Sequence, residues 1–313
     1  MIKLKLLIAF LVITHTAYTQ NSFTSEDILV MNDSIKLPGT LTYNSELKSQ
    51  PLVIFVHGSG NVDRNGNQAM MNANANYIKM LNDSLVSKNI AFYRFDKRTA
   101  TQSNLKFIMK NMSFDNFVQD INLTLAKFKD DKRFSSITLI GHSQGSLVSM
   151  LANHTHVKNY ISLAGPSDSF DKTLVKQVKQ QNGDSIATIV SSHFKELAEK
   201  GSIEKVDPNL MSLFNKPTQP FIASWMKYNP SEEIKSVKLP ILIINGNKDL
   251  QVSVKDAEQL HVANPKSELV IIDKMNHVLK TIEKDEDNMA SYMSPDFNLS
   301  QELVKVIETF IKK

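Results

Sequence analysis

The 313-residue sequence contains no cysteine, which excludes disulfide bonds and a lipid anchor on an N-terminal cysteine. A fold without disulfides must be held together by its apolar core. The chain can supply such a core, since 42% of its residues are hydrophobic and 22% are charged. The composition therefore predicts a globular protein, built as one large α/β domain or as two smaller ones.

Dense clusters of positive charge are also missing. The formal net charge is only +4, and the basic residues are scattered lysines rather than a tract interleaved with aromatic side chains. This pattern gives no support to a nucleic-acid partner. The histidines and carboxylates lack a metal-ligand spacing such as H-E-x-x-H, so the sequence predicts no metal site and no other cofactor.

The apolar run near the N-terminus, LLIAFLVI (6–13), is too short to cross a bilayer, which takes about 20 residues. A basic start, MIKLK, precedes it, and a small and polar stretch, THTAYTQ, follows it. This order is typical of a signal peptide. We therefore expect residues 1–19 to be removed and the protein to be exported, to the periplasm or outside a bacterial cell, without a stable membrane anchor. An N-terminal strand or a retained anchor is the alternative. The sequence does not indicate an oligomeric state.

Short apolar runs alternate with amphipathic segments along the rest of the chain. The runs have the near-continuous apolar pattern of strands covered on both faces, and they lie at 51–58, 89–96, 136–141, 159–165, 239–246 and 267–273. Helical patterns separate or follow them at 68–88, 113–129, 146–153 and 299–313. The segment 27–44 alternates and contains a turn, which predicts an antiparallel hairpin at one edge. The sequence thus predicts an open, mostly parallel, doubly wound α/β sheet.

Residues 166–238 interrupt this alternation, because they contain helical stretches but no convincing strand. We interpret them as a helical cap inserted over the carboxyl edge of the sheet, which leaves residues 20–165 and 239–313 as the core. Ordinary crossover helices with long loops are the alternative.

Two groups of apolar side chains have roles that the sequence leaves open. The first helical pattern contains three methionines, Met70, Met71 and Met80. Methionine side chains could line an acyl pocket, but we favour core packing for them. The insertion carries Trp225 with Phe221 and Tyr228 at helical spacing, and these rings suit either the underside of a lid or plain packing.

The stretch ITLIGHSQGS (137–146) places Ser143 in a G-x-S-x-G pattern that runs from Gly141 to Gly145. An apolar strand precedes the pattern and a helical pattern follows it. In this context the serine sits on a sharp strand-to-helix turn that exposes its hydroxyl, and the glycines leave room for tight packing. We predict that Ser143 is a nucleophile. A turn serine without chemistry is the alternative.

A serine hydroxyl needs a general base and a group that orients this base. His277 comes a few residues after the last predicted strand, and Asp249 lies three residues beyond Gly246, in the loop after the preceding strand. We therefore predict that His277 is the base and that Asp249 orients it. Asp168 and Asp273 are rival acids. The other histidines stand at positions that suit a base less well.

The same chemistry needs backbone N–H donors that stabilise a tetrahedral oxyanion. One donor comes from the residue after the nucleophile, Gln144, and the second from the loop after an early strand. The stretch VHGSG (56–60) is such a loop, and we assign its donor to Ser59. Gly58 and Gly60 give this backbone the freedom to aim the N–H.

These motifs together resemble the α/β-hydrolase superfamily, over most of residues 35–313. Within it the chain is similar to bacterial carboxylesterases related to the serine aminopeptidase and cinnamoyl-esterase-like groups. HGSGNVDRNGN (57–67) resembles the glycine loop of that branch, and the segment 228–252 resembles the approach to its acid loop. RFDKRTATQS resembles the F/Y-D-x-R-G-x-G-x-S stretch of many relatives, with Thr99 and Thr101 in place of glycine.

The resemblance implies an α/β-hydrolase fold whose catalytic residues follow the order Ser143, Asp249, His277. It implies a serine esterase that acts on a small-molecule ester through an acyl-enzyme. An aminopeptidase or an acyltransferase would keep the same three residues, so both remain open, as does a non-catalytic binding protein on a hydrolase scaffold. We expect the insertion to hold the substrate preference, and the sequence predicts neither the acyl chain nor the alcohol.

Overall fold

The computed structural model describes residues 23–313, apart from the side chains of 109–111. The predicted signal peptide lies outside the described residues. Within 23–313, no helix has both the length and the apolar character needed to span a membrane.

A single mixed sheet runs through the described part of the chain. Its eight strands are β1 Phe23–Asn32, β2 Ile35–Asn44, β3 Gln50–Val56, β4 Ala91–Phe95, β5 Phe134–His142, β6 Asn159–Leu163, β7 Ile241–Gly246 and β8 Glu268–Ile272. Their order in the sheet is β1-β2-β4-β3-β5-β6-β7-β8. The strand β2 is antiparallel to both β1 and β4, and all other neighbours are parallel. The mostly parallel sheet and its antiparallel edge hairpin agree with the prediction.

Helices occupy most of the connections between the strands. They are α1 Tyr77–Val86, α2 Leu105–Asn111, α3 Asp115–Phe128, α4 Gln144–Leu151, α5 Phe170–Asn182, α6 Asp184–Lys200, α7 Met211–Phe214, α8 Gln219–Trp225, α9 Pro230–Glu233, α10 Val254–Ala263, α11 Asp287–Ser291 and α12 Gln301–Ile311. Short 3₁₀ turns lie at Ala69–Met71, Gln102–Asn104, Pro208–Leu210 and Ile234–Ser236.

The core consists of two apolar layers, one on each face of the sheet. Because strand side chains alternate between faces, Val53 and Phe55 of β3 join one layer, and Leu52 and Ile54 join the other. The first layer is covered by α1 and α12, and the second by α3, α4 and α10. Helices on both faces explain the nearly continuous apolar strands of the sequence.

The helix predicted over residues 68–88 is shorter than expected. Two asparagines with left-handed backbone, at φ 52° and 56°, interrupt it, so that only a 3₁₀ turn precedes α1. Met70 and Met71 lie on that turn and are 85% and 63% exposed, so the expectation that they pack in the core is wrong. Met80, on α1, is half-buried against the core.

Residues 166–238 contain α5 to α9, without a strand. These helices have an apolar cluster of their own, formed by Val190, Phe194, Leu197, Ile203, Phe214 and Ile222. Phe170 and Phe221 pack against both this cluster and the layer covered by α3. The cap and its boundaries remain a prediction.

Candidate active site

The turn after β5 has the geometry expected of a nucleophile elbow. Ser143 has φ 54° and ψ −121°, an unfavourable backbone conformation for a residue with a side chain, and its N–H donates to Leu163 O at 2.9 Å. The flanking glycines are sterically required. A Cβ at Gly141 would lie 2.4 Å from Gly145 O, and a Cβ at Gly145 would lie 2.2 Å from Val56 O. The sequence around Ser143 thus permits a strained turn that holds the serine at the start of α4, on the carboxyl edge of the sheet.

His277 and Asp249 meet at the same edge. His277 Nδ1 lies 2.8 Å from Asp249 Oδ2, and their side chains are only 5% and 1% exposed. The other carboxylate oxygen, Oδ1, accepts the backbone N–H groups of Gln251 at 2.7 Å and Val252 at 2.9 Å. Because a carboxylate only accepts, the proton of a neutral His277 sits on Nδ1, and Nε2 has its lone pair free.

The rival acids have other partners. Asp168 forms an ion pair with Lys176, and Asp273 accepts a hydrogen bond from Asn247 Nδ2 at 2.7 Å. Neither carboxylate contacts His277 among the described residues. The geometry therefore favours Asp249 as the acid.

Most other histidines bond to groups outside this edge. His154 bonds to Ser149 O, the His193 ring accepts an N–H from the backbone, His261 bonds to Ser267, and His156 is exposed. None of these bonds involves Ser143 or Asp249.

His142, inside the elbow, has a role that the sequence does not reveal. Its Nε2 donates to the backbone carbonyl of His277 at 2.8 Å, and the Tyr77 hydroxyl lies 3.4 Å from its Nδ1. Burial, together with the neighbouring His277 ring, holds the pKa of His142 well below its ordinary value. The neutral ring therefore fastens the loop of His277 to the turn that carries Ser143. The signal in the sequence was a histidine inside G-x-S-x-G, but its partner lies 135 residues away.

A cleft opens at the elbow. Ser59, Ser143 and Gln144 line it from the sheet side, and Phe170 and Trp225 line it from the inserted helices. The two aromatic rings stack with centroids 3.7 Å apart and planes 12° from parallel. Within residues 23–313, Ser143 Oγ has no hydrogen-bond partner. Trp225 lines the cleft and also packs in the core, where it is 8% exposed. The ring therefore combines the two roles that the sequence left open, the underside of a lid and plain packing.

The predicted oxyanion loop lies directly against the elbow. A Cβ at Gly58 would be 3.1 Å from Ser143 Cβ, so the absence of a side chain permits this approach. Ser59 is exposed to the cleft, whereas Gln144 begins α4 and has a first-turn N–H without an intrahelical acceptor. The structure thus brings the two predicted donors and the serine together.

Lys97 lies beneath this loop and was not predicted as a site residue. It is 6% exposed, and its Nζ donates to Gly58 O at 2.7 Å and to Gln144 Oε1 at 2.6 Å. The Phe117 ring centroid lies 4.4 Å from the same nitrogen. Burial lowers the pKa of Lys97 to about 7, although the charge of Asp120 opposes the change.

Two arginine–aspartate pairs hold the loops around Lys97. Arg64 donates to Asp96 from its backbone N–H and its guanidinium, at 2.9 to 3.1 Å, which joins the glycine loop to the end of β4. Arg98 forms a buried bidentate pair with Asp120 of α3, with both bonds at 2.7 Å. In addition, Thr99 Oγ1 donates to the carbonyl of Gly60 at 3.3 Å. Thr99, which stands where many relatives have glycine, therefore contacts the glycine loop.

Among residues 23–313, no group of three or more His, Asp or Glu side chains is arranged to hold a metal ion.

A sequence model of the BD-FAE family matches residues 41–263, well over half of the chain. The chain belongs to the BD-FAE family.

Relatives of this BD-FAE family member include the esterase EstD of Thermotoga maritima. It is 26% identical over 266 residues, which cover 82% of this chain and 60% of EstD. The matched part thus spans about three fifths of that relative's length.

Solved structures confirm the α/β-hydrolase fold that the sequence predicts. The Pyrococcus furiosus esterase Pf2001 is similar with a TM-score of 0.60 and 20% identity, over 93% of this chain and 91% of that one. Est1E of Butyrivibrio proteoclasticus, solved with ferulic acid bound, is similar with a TM-score of 0.59 and 19% identity, over 91% of this chain and all of that one.

Proposed function

We propose that this BD-FAE family member is a serine hydrolase that cleaves small carboxylic esters through an acyl-enzyme. Ser143 is the nucleophile, His277 the general base and Asp249 the orienting acid. The hydrogen bond of 2.8 Å between Asp249 and His277, on the sheet edge that also carries a strained serine turn, is the observation that carries the proposal.

In the first half of the reaction, Ser143 Oγ attacks the ester carbonyl while His277 Nε2 takes its proton. Asp249 stabilises the imidazolium that forms and keeps the ring in the tautomer that frees Nε2. The carbonyl oxygen becomes an oxyanion, which the N–H groups of Ser59 and Gln144 stabilise. Collapse of this intermediate breaks the ester bond, and His277 returns the proton to the departing alcohol.

In the second half, water repeats the attack on the acyl-enzyme. His277 Nε2 takes a proton from the water as its oxygen bonds to the acyl carbon, and the same two N–H groups stabilise the second oxyanion. The proton then goes to Ser143 Oγ as the acyl bond breaks, which releases the carboxylic acid and restores the serine.

The lining of the cleft suits esters with an aromatic or other flat acyl group. The stacked rings of Phe170 and Trp225 line it beside Ser143 and offer an apolar wall for such a group. The ferulic acid bound to the structural relative Est1E is an aromatic acid of this kind. We therefore place the acyl group against these two rings, so that the inserted helices act as the predicted cap.

The test is a kinetic panel of p-nitrophenyl esters and aminoacyl p-nitroanilides, with Ser143→Ala as the control. We expect the wild type to turn over the esters faster than the anilides, because p-nitrophenoxide leaves more readily than an anilide. The Ser143→Ala protein should lose this activity and stay folded. Faster cleavage of the anilides would contradict the esterase proposal and favour an aminopeptidase.

We also propose that residues 1–19 form a cleaved signal peptide, on the basis of their basic, apolar and polar order. Expression of the full chain in a Gram-negative host with fractionation tests this. The periplasmic or secreted protein should begin near residue 20 by N-terminal sequencing. A cytoplasmic protein that retains its first residues would contradict export.

A further inference from the structure

A buried ammonium group lies directly behind the predicted oxyanion hole. Lys97 Nζ donates to Gly58 O at 2.7 Å and to Gln144 Oε1 at 2.6 Å, and its remaining side faces the Phe117 ring. Among the described residues no carboxylate forms an ion pair with it. The nearby Asp120 makes its bidentate pair with Arg98 instead.

A buried ammonium without a carboxylate partner is costly, since a protein interior stabilises charge poorly. Substitution by an apolar side chain would avoid this cost. Lys97 therefore imposes a cost on folding, and its two polar bonds go to the two segments that supply the predicted oxyanion donors.

The contact with Gly58 acts on the adjacent N–H. The carbonyl of Gly58 and the N–H of Ser59 belong to one peptide group, in which the two bonds point in opposite directions because the peptide is planar and trans. Lys97 holds the carbonyl from below, so the Ser59 N–H is directed away from Lys97, towards the cleft. When Lys97 is protonated, its bond to the carbonyl is charge-assisted, which also polarises the peptide and makes its N–H a stronger donor.

The contact with Gln144 supports the second donor. The side chain of Gln144 is 4% exposed and its amide oxygen accepts from Lys97, which fixes the residue at the start of α4. The backbone N–H of that residue is the donor next to Ser143. One cation thus joins the two halves of the hole, which come from distant parts of the chain and share no direct hydrogen bond among the described residues.

We propose that Lys97 is a positioning residue that orients and polarises both N–H donors of the oxyanion hole. This inference rests on the proposed function, because it concerns the same site. It assigns Lys97 an effect on the transition state rather than on substrate binding, so its removal should lower kcat and leave KM nearly unchanged.

The experiment compares wild type with Lys97→Met, which keeps the length and apolar character of the side chain but removes the charge and the donors. Loss of one whole oxyanion donor typically costs on the order of 10²–10³ in rate. Since the N–H groups remain and lose only their support, we expect kcat to fall by about 10–100-fold. The Ki of an aryl trifluoromethyl ketone, which adds to the serine and forms a bound oxyanion, should rise by a similar factor, whereas the KM for p-nitrophenyl acetate should change less than about threefold.

Arg94→Met is the matched control. Arg94 is also a buried cation, three residues earlier in the chain and on β4, but its guanidinium bonds to Asn65, in the later part of the glycine loop, and not to Gly58, Ser59 or the elbow. Its kcat and its Ki for the ketone should stay within about threefold of wild type. Thermal unfolding of both variants separates loss of fold from loss of function.

The outcomes distinguish this inference from the function on which it rests. If the wild type neither hydrolyses esters nor binds the ketone, the proposed function fails. If the wild type does both and a folded Lys97→Met matches it in kcat and in Ki, only the role of Lys97 is overturned. A rise in KM with unchanged kcat, or equal losses in Arg94→Met, would also overturn that role.

Discussion

Replacement of Asp249 by asparagine should inactivate the enzyme while leaving the fold intact. The structure fixes how the new amide would orient. Two backbone N–H groups point at the Oδ1 position, at 2.7 and 2.9 Å, and they require an acceptor there. In the Asp249→Asn variant the amide oxygen therefore takes the place of Oδ1, and the amide nitrogen takes the place of Oδ2 beside His277.

With this orientation, the amide nitrogen of the Asp249→Asn variant donates to the His277 ring and cannot accept from it. The ring must then accept at Nδ1 and carry its proton on Nε2, which is the nitrogen that has to take the proton of Ser143. The same exchange in a related triad lowers kcat by about 10⁴-fold, which corresponds to about 5.4 kcal/mol of transition-state stabilisation. We expect a loss of this size here.

The assay is the kcat/KM for p-nitrophenyl acetate, with circular dichroism and thermal unfolding as measures of the fold. Asp273→Asn is the matched control, because Asp273 is the rival acid nearest to His277 in sequence and bonds to Asn247 instead. This control should keep its activity within about threefold of wild type. A folded Asp249→Asn protein with less than a tenfold loss would refute the assignment of the acid, as would a large loss in Asp273→Asn.

Three further predictions concern the framework of the site. Gly145→Ala should prevent folding or lower the melting temperature by more than about 5 °C, on the scale of about 2 °C per kcal/mol for a domain of this size, since the new Cβ would meet Val56 O at 2.2 Å; an unchanged melting temperature would contradict the elbow geometry. Asp120→Ala should lower the free energy of unfolding in urea by about 3–5 kcal/mol, because it leaves the buried Arg98 without its partner, and a loss below about 1 kcal/mol would contradict this. Burial lowers the pKa of Lys97 to about 7, so between about pH 7 and 10 the unfolded chain binds a proton that the folded chain has released. The stability of wild type relative to Lys97→Met should therefore rise over this range by up to about 1.4 kcal/mol per pH unit; a difference that does not change with pH would contradict the lowered pKa.

The sequence predicted the parts of the fold that depend on local pattern. Apolar runs with both faces covered marked the parallel strands, and the alternating segment 27–44 marked the edge hairpin. The glycines around Ser143 predicted the sharp turn, because no larger residue fits there. Asp249 follows β7 and His277 follows β8. Because neighbouring parallel strands end at the same edge of the sheet, these positions predicted that the two side chains meet.

The errors and omissions lie where a partner is distant or the backbone is unusual. The first helix was predicted too long, because two asparagines in left-handed conformation interrupt an otherwise helical apolar pattern. The role of His142 depends on the carbonyl of His277, and a backbone acceptor leaves no trace in the sequence. Lys97 follows a buried strand, where a lysine is usually assigned to the surface, and its partners Gly58 and Gln144 are 39 and 47 residues away.

The central claim, that Ser143 becomes acylated, is tested most directly by covalent labelling. The wild type is treated with a fluorophosphonate and examined by intact-mass and peptide-mass spectrometry. We predict one adduct per chain, located on Ser143, together with parallel loss of esterase activity and no adduct in folded Ser143→Ala. An unlabelled wild type, or an adduct on another residue with activity lost in step, would contradict the account.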